Sequence, residues 1–130
     1  MLLNAFSMNC VVHQSPGLWV REEDKMTEYK DLNVWTDLAK LLERGKFDAL
    51  FLADVIGVYD IFNGNHHAAA KSATQLPVND PMLLIPAMAQ VTEHLGFGFT
   101  SSILQYNPFI FARLASTLDH LTNGRVGWNI

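Results

Sequence analysis

Apolar residues fall along this chain in two alternating rhythms: short unbroken runs, and longer stripes at helical spacing. The first run, residues 2–9, suits a strand. A long connection from Cys10 to Tyr29 follows, with Ser15-Pro16-Gly17 as its turn signal. Val34, Leu38, Leu41 and Leu42 then recur at i, i+4, i+7 and i+8, with Trp35 and Ala39 widening the same face. That spacing predicts an amphipathic helix, capped by Asp31 and closed by Gly45. Residues 49–53 form a continuous apolar run ending on Asp54, as in a strand covered on both faces.

A long insertion without clear periodicity spans residues 55–79; it holds His66-His67, an Ala-rich piece suited to a short helix, and Pro77. Asp80-Pro81 is a matched helix start. The predicted helix runs through Met82, Ile85, Met88, Ala89 and Thr92, with a kink at Pro86. Residues 96–102 read as a third strand. Asn107-Pro108 repeats the start signal before a stripe of Phe111, Leu114, Leu118 and Leu121. Asn123-Gly124 closes that helix, with the glycine in the left-handed conformation, and Arg125–Ile130 reads as a buried fourth strand.

The order β-α-β-α-β-α-β predicts an α/β fold with a parallel sheet and right-handed crossovers. Its strand-to-helix loops are long and its helix-to-strand loops short, the arrangement in which (β/α)₈ barrels keep their sites. Four strands cannot close such a barrel, which needs eight and typically ~250 residues. The expectation is therefore an N-terminal half-barrel, residues 1–130, cut off in mid-fold; an open doubly wound sheet is the alternative. Two open edges would follow, with Val126, Trp128 and Ile130 on or beside one of them.

At 49% hydrophobic, 130 residues can bury one core. The net charge of −4, with no basic run, argues against nucleic acid or an anionic membrane surface as partner. Cys10 is the single cysteine, which excludes a disulfide framework and a Cys-based metal site. The N-terminus lacks a basic n-region, and apolar runs fall short of the ~20 residues a bilayer demands. A cytoplasmic setting is expected.

Candidate chemistry gathers at the predicted strand ends. Asp54 leaves the second strand, the hydroxyls of Thr100, Ser101 and Ser102 end the third, and the amide of Asn129 ends the fourth. Hydrogen-bonding groups on neighbouring strand ends, without a nucleophile–base pair, suit a polar planar cofactor better than hydrolysis. A loop-capping or salt-bridged Asp54 is an equally good reading on position alone. Cys10 and His13 are too few for a metal site, and His66-His67 reads as solvated loop. Gly96-Phe-Gly98 precedes a strand instead of opening a helix, so it is no dinucleotide fingerprint; neither a P-loop nor a Gly-x-Ser-x-Gly elbow occurs.

Residues 41–54, 77–81, 91–95 and 117–129 together resemble the bacterial-luciferase-like, flavin-dependent monooxygenases. The resemblance is to the branch of the nitrilotriacetate, dibenzothiophene-sulfone and long-chain alkane monooxygenases. Residues 4–10, Gly17-Leu-Trp19 and Val58-Tyr-Asp60 look most like the alkane members. The resemblance implies a (β/α)₈ barrel more than three times this length. It implies reduced FMN supplied by a separate flavin reductase, and O₂ as the source of one oxygen atom placed in a small organic substrate. Asp54, Thr100 and Asn129 match flavin-contacting positions; Cys10, His13, Tyr59 and Gln75 match positions lining the substrate side. Ser102-Ile-Leu-Gln105 departs from the family's hydroxyl- and aromatic-rich run after Thr100. The competing expectation is an inactive truncated homologue, or a half-barrel that works only by association with itself or with a complementary half.

Overall fold

A computed structural model describes residues 1–14 and 17–130; Ser15 and Pro16 of the expected turn lie outside the described residues. Four strands, β1 (Asn4–Met8), β2 (Ala49–Ala53), β3 (Gly96–Thr100) and β4 (Val126–Asn129), form one sheet. All pairs are parallel, and the sheet order β1-β2-β3-β4 repeats the chain order. The helices are α1 (Leu32–Arg44), α2 (His67–Lys71), α3 (Ile85–Gln90) and α4 (Pro108–Leu121). The predicted alternation is thus present, with α2 as the Ala-rich piece inside the insertion.

Alternation along the strands sorts side chains onto two faces. Leu50 and Leu52 of β2 pair with Phe97 and Phe99 of β3, and all four are buried against the helices. They join Trp35, Ala39 and Leu42 of α1, Ile85, Met88 and Ala89 of α3, and Leu118 of α4. Burial of each such side chain stabilises the fold by about 1.5–3 kcal/mol. The opposite, inner face carries Phe6, Phe51, Gly98, Thr100, Gly127 and Asn129. Phe51 packs on Phe6 at 5.3 Å between ring centroids and lies over Gly98, where a Cβ would sit 3.0 Å from its ring.

Several local expectations shift. Asp31 caps α1 as predicted, accepting from the Asn33 N–H at 2.9 Å. The stripe of α1 is rotated, however: Trp35, Ala39 and Leu42 are buried while Leu41 is exposed. Trp35 sets this rotation by donating its indole N–H to the Tyr29 carbonyl at 2.7 Å. The left-handed residue after α1 is Lys46 (φ 60°) and not Gly45 (φ −73°). Gly45 instead leaves room for the Phe47 ring, which a Cβ would meet at 3.3 Å.

Pro86 does not kink a helix. It sits in the first turn of α3, where its missing N–H costs nothing, and the predicted start at Asp80 is a separate turn closed by Met82 N–H to Asp80 Oδ1 at 2.7 Å. The third strand stops at Thr100, and the fourth is largely exposed because it is outermost and partly glycine on its inner face. β2, expected to be covered on both faces, is fully buried only on its helix side, at Leu50 and Leu52, and half-buried on its inner side. In α4, Leu118 alone is buried; Leu114 and Leu121 line an apolar groove against Leu83 and Pro86. Gly124 does take a left-handed conformation (φ 77°), together with Asn123 (φ 55°).

Two charged side chains hold the layers together without an opposite charge. Arg125, at the entrance to β4, donates five hydrogen bonds of 2.8–3.1 Å: to the carbonyls of Ala89, Thr92, Leu95 and Thr122, and to Thr92 Oγ1. Its guanidinium also lies 5.7 Å from the Phe97 ring centroid. Glu43, near the end of α1, accepts the N–H groups of Glu93 and His94 at 2.6–3.0 Å. Both tie the α3–β3 turn into the layer.

Candidate functional site

The carboxyl ends of the strands carry the polar groups. Thr100 and Asn129 are register partners on the inner face of β3 and β4, and Asn129 Nδ2 donates to Thr100 Oγ1 at 3.1 Å. Beneath them Gly98 pairs with Gly127, whose position a Cβ could occupy without meeting another atom within 4 Å. The inner surface under the Thr100–Asn129 pair is therefore open backbone at Gly127, while the Phe51 ring covers Gly98. Asp54 leaves β2 one strand away and lines a cavity of about 180 Å³ with Thr100, Ser101, Asp80, Gln105 and Tyr106. Ser101 Oγ is buried in that wall without a hydrogen-bond partner.

Electrostatics in the cavity are set by a second carboxylate. Burial first, and then the charge of Asp80, hold the Asp54 carboxyl above its ordinary range; a bond from the Val55 backbone pulls the other way. Asp80 is itself saturated with donors, taking the Met82 N–H at 2.7 Å and the Tyr106 O–H at 3.1 Å. Its negative charge, then burial and that bond, push the Tyr106 phenol upward. The sequence suggested only a helix cap at Asp80 and nothing at Tyr106. No local pattern could have found a pair 26 residues apart that meets only in the fold.

Cys10, His13 and Gln75 are brought together by a seam between two loops. Residues after β1 bridge to the end of the insertion at Cys10–Val78 and Val12–Thr74. Gln75 N–H donates to the Val12 carbonyl at 2.9 Å, and Asn79 N–H to the Asn9 carbonyl at 2.8 Å. Trp19 adds an indole bond to the Ser72 carbonyl at 3.0 Å. The Cys10 thiol is buried, donates to the Val12 carbonyl at 3.2 Å and is pushed up to about 11, chiefly by burial and also by the Asp54 charge. It is therefore a protonated thiol and no nucleophile at neutral pH. His13 packs on Phe6 at 4.7 Å, and burial lowers its pKa. Gln75 is buried in a left-handed conformation (φ 52°) with its Oε1 unpartnered. Tyr59 joins neither group: it is half exposed in the apolar run after β2 and absent from the cavity wall. His66 and His67 are exposed as expected, but they open α2, His66 as its N-cap and His67 as its first residue, and do not lie in a loop.

A family model described as luciferase-like monooxygenase matches residues 6–130. The long-chain alkane monooxygenase of Geobacillus thermodenitrificans (strain NG80-2) is 56% identical over 128 residues, covering 98% of this chain and 29% of that protein. A crystal structure of long-chain alkane monooxygenase superposes with a TM-score of 0.97, over 99% of this chain and 30% of that one. The dimethyl-sulfide monooxygenase of Hyphomicrobium sulfonivorans is 54% identical over 100% of this chain and 27% of its own length. A riboflavin lyase solved with modified FMN and riboflavin is 30% identical, with a TM-score of 0.90, over 99% of this chain and 29% of that one. The chain thus spans under a third of the length of these relatives, and its four strands are part of a (β/α)₈ barrel. Among the described residues no helix is long and apolar enough to cross a membrane. By sequence match and by fold, the chain belongs to the luciferase-like monooxygenase family.

Proposed function

We propose that this chain supplies the strand-end part of an FMN site in a monooxygenase that oxygenates a small organic substrate, with an alkane-like apolar molecule as the first candidate. The observation that carries the reading is the Thr100–Asn129 hydrogen bond set above open backbone at Gly127 and the Phe51 ring over Gly98, with Asp54 one strand away. A flat heteroaromatic ring needs a flat apolar floor, which the Phe51 ring and the Gly127 backbone offer, and donors and acceptors at its polar edge. Asp54, Thr100 and the orphaned Ser101 hydroxyl offer such an edge, and Asn129 extends it through its bond to Thr100. No basic side chain lines this cavity, so these residues fit the ring and not the phosphate. When bound, reduced FMN would supply the oxygen-activating chemistry; the protein contributes orientation and exclusion of water.

Cys10, His13 and Gln75 on the seam, with Tyr59 beyond it, then face the substrate side. Residues 1–130 act as one partial domain, in partnership with a flavin reductase and with either a second copy or a complementary half. The exposed Trp128 on β4, Ile130 just after it, and Phe6 on β1 favour such an association. The test is an FMN titration of the 130-residue chain, read by flavin fluorescence, with far-UV circular dichroism as the folding control. Saturable binding that weakens in Asp54→Ala and Thr100→Ala supports the reading. A folded chain that binds no flavin overturns it. Substrate-dependent consumption of reduced FMN, once a complementary half is added, tests the activity itself.

A further inference from the structure

Asp80 joins three loops at the strand ends, through its side chain and its backbone carbonyl. Its carboxylate takes the Met82 N–H at 2.7 Å and the Tyr106 O–H at 3.1 Å, and its carbonyl takes Asn9 Nδ2 at 3.1 Å. Asn9 follows β1, Asp80 closes the insertion after β2, and Tyr106 belongs to the loop after β3. With both oxygens held, the carboxylate cannot turn away from Asp54 across the shared cavity. Tyr106 is braced in turn by Phe111, 6.3 Å away between ring centroids.

We propose that Asp80, clamped by Tyr106, is a positioning residue for Asp54: it decides whether Asp54 meets the cavity's occupant as a hydrogen-bond donor or as an acceptor. Two carboxylates on one small cavity disfavour ionisation of both. Asp80 has a backbone N–H and a phenol; Asp54 has the Val55 backbone alone. The remaining titratable groups acting on Asp54 are Tyr106 from the loop after β3 and the Cys10 thiol from the loop after β1. Neither is charged at neutral pH, so after burial itself Asp80 is the group that raises Asp54. A protonated Asp54 would donate to a carbonyl or ring nitrogen of a heteroaromatic ligand, and an ionised one would accept from a ring N–H. The proposal deepens the flavin reading and rests on it for the identity of the occupant alone.

The test needs no ligand. Carboxyl ¹³C NMR of Asp-labelled chain, with Asp54 assigned by its loss in Asp54→Asn, follows the titration of Asp54 directly. In Asp80→Asn, which keeps an acceptor for the Met82 N–H, the Asp54 midpoint should move to lower pH. An unmoved midpoint in a folded Asp80→Asn chain overturns the proposal. Asp80→Glu serves if the asparagine variant fails to fold: a restored negative charge should hold the midpoint near wild type, and a fall to the ordinary carboxylate range would sink the idea. FMN titrations across the same pH range form the second arm. If the NMR shift occurs but no flavin binds, the Asp80–Asp54 coupling stands and only the flavin reading fails.

Discussion

Arg125→Met removes the guanidinium and keeps most of the apolar stem. The side chain loses five hydrogen bonds, four of them to main-chain carbonyls around the end of α3 and the start of β4. A net hydrogen bond is worth about 0.5–1.5 kcal/mol, and more when the donor is charged. Arg125 is half-buried, so water re-enters and satisfies part of what is lost. A loss of about 2–4 kcal/mol is the balance, including the cation's interaction with the C-terminus of α3. Arg125→Lys should recover less than half, since one ammonium cannot reach four carbonyls spread around a planar fork. Urea unfolding followed by far-UV circular dichroism reads both values. Because the acceptors are neutral, the difference should also survive added salt that would screen a surface ion pair. A loss under about 0.5 kcal/mol in Arg125→Met, within the range of an ordinary surface change, would refute the claim that this residue joins the layers.

Two other perturbations address the inner face and the buried thiol. Gly98→Ala puts a Cβ 3.0 Å from the Phe51 ring, so that ring must move; about 1–3 kcal/mol of stability and part of any FMN affinity should go with it. Wild-type unfolding of that variant would contradict the packing of Phe51 over bare backbone. The Cys10 thiol is raised from 9.0 to about 11 in the fold, so the unfolded chain ionises first. Its contribution is whole below pH 9 and is lost as pH rises toward 11, by about 2–3 kcal/mol at most. Unfolding curves at pH 8 and pH 10.5 should therefore differ more for wild type than for Cys10→Ala, and equal differences would count against the buried-thiol account.

Strand and helix existence was legible because it rests on periodicity, and periodicity survives in any tertiary context. The run at 49–53, the run at 96–102 as far as Thr100, the Asp31 and Asn107 caps and the Asn123-Gly124 stop are local patterns that the fold keeps. What the pattern could not show was the partner of each residue. Asp80-Pro81 has the composition of a helix start, yet Pro86 five residues later is better placed in a first turn, so the helix begins at Ile85. The α1 stripe was misplaced by a fraction of a turn because its rotation depends on Trp35 finding the Tyr29 carbonyl. At the site, Asp54, Thr100 and Asn129 could be read from their place at strand ends. Asp80, Tyr106 and the seam from Cys10 to Gln75 could not, because contacts across 26 to 71 residues leave no mark in a local window.

Sheet order that repeats chain order also bears on how the molecule is made. When β2 leaves the ribosome, β1 is already present as its only partner, and the same holds for β3 on β2 and β4 on β3. No strand has to wait for a later one to be inserted between neighbours, so each βα unit can dock on the one before it during synthesis. A nascent chain paused after Thr100 would already possess Leu50, Leu52, Phe97 and Phe99 facing α1 and α3, a nearly complete core. Arg125 arrives afterwards as a bolt, closing on carbonyls that α3 and β3 have left waiting for it.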